Sequence, residues 1–167
     1  MKEFLQGRRL GYALRPSFGH VALGLGAAAT LLDLMAWFAW GSPRTNGFVV
    51  GAYWLVIAAA LVSLLAGLAA VAEIRDVPGD ERGLAHLDVI AILGAAALYV
   101  LSAALRAGDQ GAAGASPAAL LSAAAGLIVL VVGSVIGSSL YAAREWEVIE
   151  EDEDEPRRHH PRRSRAG

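Results

Sequence analysis

The chain has 167 residues, of which 56% are hydrophobic and 18% charged, with a mean hydropathy of +0.48 and a formal charge of -2. So apolar a composition excludes an ordinary soluble domain of this length, and a near-neutral charge gives no ground for a nucleic-acid partner. With no cysteine in the chain, disulfides, thiolate metal sites and cysteine nucleophiles are excluded as well.

Residues 1–17 form a basic leader carrying Lys2, Arg8, Arg9 and Arg15. Long uncharged stretches then run from His20 to Ala143. A hydrocarbon core of about 30 Å needs roughly 20 apolar residues in helical form, since lipid offers no partner to a free backbone group. Four segments meet that requirement, Phe18–Trp40, Phe48–Ala72, Leu84–Leu105 and Pro117–Ala143, within a transmembrane domain over 18–148. The connections "GSPRTNG", "EIRDVPGDERG" and "RAGDQGAAGAS" have the Gly, Pro, Asp and Asn content of turns, short enough to force antiparallel neighbours. The expected fold is an all-α, integral-membrane four-helix bundle of up-down spans. The first apolar run is longer than a signal-peptide core and lacks a small-x-small cleavage site, so it reads as a retained anchor.

Twelve of the Lys and Arg residues fall in the leader, the second loop and the tail, against Arg44 and Arg106 on the other side. The positive-inside rule then places both termini in the cytoplasm. Trp37, Trp40, Tyr53 and Trp54 would gather at the outer interface, and Tyr12, Phe18, Tyr141 and Trp146 near the inner one.

In lipid, helices associate by close backbone approach and by polar side chains that find partners. Each span offers one seam: Gly26, Ala29, Thr30 and Asp33 in the first; Ser63 and Gly67 in the second; Asp88, Ala95, Tyr99 and Ser102 in the third; Ser122, Gly126, Gly133 and Gly137 in the fourth. These would close a bundle or, alternatively, a homodimer. Asp33 reads as a helix-packing residue near the outer headgroups.

His20 and His86 open the first and third spans at the same face, so their depths match. One reading is a b-type haem bound from both sides, or a shared divalent metal, with Glu73 or Asp88 beside it. Another is proton handling. The simplest is that each ring anchors its helix at the interface, and His86 and Asp88 point roughly 160° apart, so only one can face the centre. No hydrolytic motif and no phosphate loop is present.

The tail "EWEVIEEDEDEPRRHHPRRSRAG" sets an acidic block before a basic one, the pattern of a solvated, disordered segment over 149–167. Its arginines could touch anionic lipid, and His159 and His160 form no defined site by pattern alone.

"RPSFGHVALGLGAAATLLDL", "AGLAAVAEIRDVP", "GLAHLDVIAIL" and "GSVIGSSLYAAREW" together resemble the bacterial four-helix membrane proteins of domain of unknown function 2231, over roughly Gly11 to Val148. On that resemblance His20, Asp33, Glu73, His86 and the Gly133 to Gly137 step fall on matching positions. Arg15 stands where the family has its first histidine, and Ile90 where an asparagine is frequent. The resemblance implies an association with membrane electron-transfer proteins and no established activity. Two functions follow as expectations: a scaffold or accessory subunit without catalysis, or a redox module holding haem through His20 and His86.

Overall fold

The computed structural model describes residues 14–158 apart from 80, 109 and 111; for 75 and 140–158 it describes the backbone alone. The expectations for Tyr12, His159 and His160 lie outside these residues, as do the side chains of Tyr141 and Trp146. The described chain is helical: α1 is Leu14–Trp37, α2 is Gly47–Glu73, α3 is Arg82–Arg106 and α4 is Pro117–Arg158, with a 3-10 turn at Ile74–Asp76. All four are long and apolar enough to cross a membrane, α4 over Pro117–Ser139.

The ends differ from the sequence reading where a charged residue is involved. The described part of α1 already includes Leu14, four residues before Phe18, and this takes Arg15 into the helix. α3 closes on Arg106. α4 continues through Arg158, so the 149–158 part of the segment expected to be disordered is helical; Glu and Arg are straight-chain residues that lose little freedom in a helix.

α1 ends where Ala39 and Gly41 take positive φ, 58° and 103°. Asn46 then starts α2. Its side-chain oxygen accepts from the Phe48 amide at 3.0 Å, and its Nδ2 donates to the carbonyls of Trp40 at 2.8 Å and Ala113 at 2.9 Å. One buried amide thus caps a helix and ties the α1–α2 connection to the α3–α4 connection.

α1 packs beside α2 and α4, and α3 does the same, so α1 and α3 face each other across the centre. Buried positions recur at alternating three- and four-residue steps. They are Ala22, Gly26, Ala29, Asp33 and Ala36 on α1, and Asp88, Ile92, Ala95, Tyr99, Ser102 and Arg106 on α3. That 3.5-residue repeat is the seam of helices crossing at a shallow angle. The residues that fill it are mostly Ala, Gly and Ser, and the large apolar side chains point outward: Leu61, Leu65, Leu68, Ile128, Val132 and Val135 are each about half exposed or more. A soluble protein does not leave its leucines outside and its alanines inside; a bilayer accepts that inversion.

The glycines expected at helix contacts are there for space. A methyl group on Gly26 would overlap the Tyr99 hydroxyl and lie 2.9 Å from its Cζ. One on Gly126 would stand 3.1 Å from Tyr99 Cε1, and one on Gly133 2.8 Å from Ala91 Cβ. Gly24, two residues from Gly26, has nothing within 4 Å of such a methyl. Gly26→Ala should therefore lower the thermal midpoint of the detergent-solubilised protein by several degrees, with Gly24→Ala neutral or slightly stabilising through helix propensity. Equal effects of the two would show that Tyr99 does not pack against α1.

Candidate functional site

The polar groups inside the bundle come together as two ion pairs. At one end Arg15 of α1 grips Asp88 of α3, Nε donating to Oδ2 at 2.7 Å and a terminal nitrogen donating to Oδ1. At the other end Arg106 of α3 grips Asp33 of α1, with Nη1 to Oδ1 at 2.6 Å and Nη2 to Oδ2 at 2.5 Å. All four residues are buried, Asp33 fully. A bidentate carboxylate–guanidinium contact is the geometry in which a desolvated pair recovers most of its lost hydration.

Both pairs join residues 73 positions apart, and so does the contact of Gly26 with Tyr99. α1 and α3 therefore run in the same direction and in register. Within each helix the two charged residues are 18 apart, five whole turns, which puts both on one face and about 27 Å from each other. That distance is close to the thickness of a hydrocarbon core.

The surroundings of each pair are matched to it. Gly137 of α4 has no Cβ because the Arg15 guanidinium occupies that space. At the other end Arg106 Nε donates to Ser102 Oγ at 3.2 Å, and Ser102 Oγ donates to the Ala119 carbonyl of α4 at 2.7 Å. Each ion pair thus links α1 and α3 and abuts α4.

Between them, nearer the Arg106 end, stands Tyr99, fully buried. Its hydroxyl and that of Ser63 are the buried side-chain hydroxyls with no hydrogen-bond partner among the described residues. Tyr99 fills the centre by bulk, leaning into the gap left by Gly26 and Gly126.

The residues expected to bind a cofactor are not assembled. His20 and His86 are both exposed on the outside of the bundle. His86 Nδ1 lies 2.6 Å from the Arg82 carbonyl of its own helix and donates to it in the Nδ1–H tautomer. Of His86 and Asp88, the one that faces the centre is Asp88, and Arg15 neutralises it. Glu73 is half-buried at the last position of α2. A haem held by two imidazoles needs both rings turned inward, and the interior beside their helices is occupied by the Arg15–Asp88 pair, so these residues do not fit that group. Among the described residues no three His, Asp or Glu side chains gather as a metal ion would need.

Reading the sequence placed Asp33, Asp88, Gly26, Gly126, Gly133 and Gly137 at helix contacts, and each is buried there. It missed Arg15 and Arg106, which were assigned to the leader and to a loop. The signal was available: each stands five turns from a carboxylate on its own helix, with opposite order in α1 and α3.

No family model, no curated protein and no solved structure matches this chain.

Removing one partner of a buried pair leaves an uncompensated charge, which costs about 3–5 kcal/mol. Asp33→Ala and Arg106→Ala should each be strongly destabilising in detergent, and the double variant less so than either loss added to the other. Additive losses in that cycle would show the pair to be uncoupled. Tyr99→Phe should leave stability unchanged or raise it by about 1 kcal/mol, because it deletes a hydroxyl with no partner among the described residues. The same substitution should also soften Gly26→Ala, the overlap being with the hydroxyl.

Proposed function

We propose that the chain is a non-catalytic scaffold or accessory subunit of a bacterial cytoplasmic membrane, its spans running up, down, up and down with both termini in the cytoplasm. The observation that carries the scaffold reading is that, among the described residues, the four buried charged side chains pair with one another. Charges that serve transport or catalysis in a membrane face a substrate path; these face each other across a packed centre.

The contact pattern supports the alternating sense. Gly51 near the start of α2 meets Leu32 near the end of α1, and Gly67 near the end of α2 meets Leu93 of α3. On α4, the earlier Gly126 meets Leu98 and Tyr99, while the later Gly133 meets Ala91. Orientation is supported by the arginines. With Arg106 withdrawn into an ion pair, Arg44 is the lone basic residue of the connections at the end where Trp37, Trp40 and Trp54 are exposed. Membership in the family of domain of unknown function 2231 belongs to the same proposal. Its support is the buried Asp33 and the glycine steps of α4 at the positions where the resemblance puts them.

A chain without cysteine allows a clean test. Ser42→Cys should react with a membrane-impermeant maleimide in intact cells, and Gly79→Cys after permeabilisation alone; the reverse pattern would invert the topology. The purified protein should show a flat Soret region and no stoichiometric metal. A haem band lost in His20→Ala would replace the scaffold reading with the redox one.

A further inference from the structure

The seam between α1 and α4 is the loosest of the four side-by-side contacts, and it is open at both ends. Beside the Arg15–Asp88 pair it holds a cavity of about 60 Å³. His20 on α1 and Ser134 and Ser138 on α4 line it, with Gly19, Ile92 and Leu130 on its apolar side. Near the far end, an apolar groove of about 210 Å³ lies between Leu34 and Trp37 of α1 and Pro117, Leu120 and Leu121 of α4.

We propose that the Arg15 end of this crevice is a phospholipid site, in which His20, Ser134 and Ser138 hold the lipid phosphate beside the Arg15–Asp88 pair. The inference goes beyond the scaffold reading and holds whichever face of the membrane carries the Arg15 end.

Size argues first. The cavity is small, about 60 Å³, and has room for one tetrahedral group whose remaining atoms lie outside. Chemistry argues next. Ser134 and Ser138 are one turn apart on a single face of α4, and Ser138 now donates to the Val135 carbonyl at 2.9 Å, a hydroxyl that rotates to serve another acceptor. The exposed His20 ring offers an N–H, and Arg15, itself buried, fixes a guanidinium in the wall. Donors gathered in one spot fit an oxygen-rich anion. Depth argues last. In a bilayer the Arg15–Asp88 pair, at one end of the spans, would stand near the headgroups, where lipid phosphates are the abundant anions, and the exposed Val21 and Val135, next to His20 and Ser134 in their helices, are apolar side chains for an acyl chain to meet.

The test is native mass spectrometry of the full chain in detergent with added phosphatidylglycerol. One lipid per chain should survive detergent removal. His20→Ala with Ser134→Ala should weaken its binding about tenfold, as expected for losing one charge-assisted contact, with His86→Ala on the outside of α3 unchanged. Should the double variant lose thermal stability, His20→Gln carries the comparison with its side chain volume kept. Wild-type binding by these crevice variants would overturn the proposal. So would equal binding of a diacylglycerol with the same chains, which would make the crevice an acyl slot. Displacement of the lipid by millimolar inorganic phosphate would assign the donors to a soluble anion and overturn the lipid assignment.

Discussion

Two salt bridges between helices that are not neighbours organise this bundle. α1 and α3 stand at opposite corners, and what passes between them is a pair of arginine–aspartate contacts and one tyrosine. In water such pairs are close to neutral for stability; with both partners inside an apolar medium, the alternative is a bare charge. Register follows from that. Because the same 73-residue offset satisfies both pairs and the Tyr99 contact, a slide of α1 by one turn would break all of them together.

The small residues take their meaning from those long side chains. An arginine that reaches across a bundle needs room on its way, and Gly137 supplies it; a tyrosine that fills the centre needs facing helices without Cβ atoms, and Gly26 and Gly126 provide them. Alanine occupies most other interior positions, which brings the helices close enough for dispersion contacts to hold where no hydrophobic driving force acts between them. The glycines are therefore complements to particular side chains on other helices more than a generic stripe.

Much of this architecture was legible in the sequence. Span number, the packing faces of α1 and α3, and the burial of Asp33 and Asp88 follow from hydropathy and from the 100° helical step. What stayed hidden was the pairing of those carboxylates, because an arginine at the margin of an apolar run reads as a loop charge until the helix is known to include it. The histidines show the opposite failure. Each opens a span at one face, which suggested equal depth and a shared ligand, but the 73-residue offset of α1 and α3 sets His20 level with Leu93, about 10 Å along the axis from His86, and both rings are turned outward.

The order of charges has an electrical result. α1 carries its positive residue first and its negative one 18 positions later, and α3 carries them the other way round. At each end of the bundle one cation meets one anion, so each pair carries no net charge. A transmembrane voltage does work on unbalanced charge, about 2.3 kcal/mol per unit for each 100 mV crossed. Through these four side chains, tilting or sliding of the bundle would therefore couple to the field only weakly.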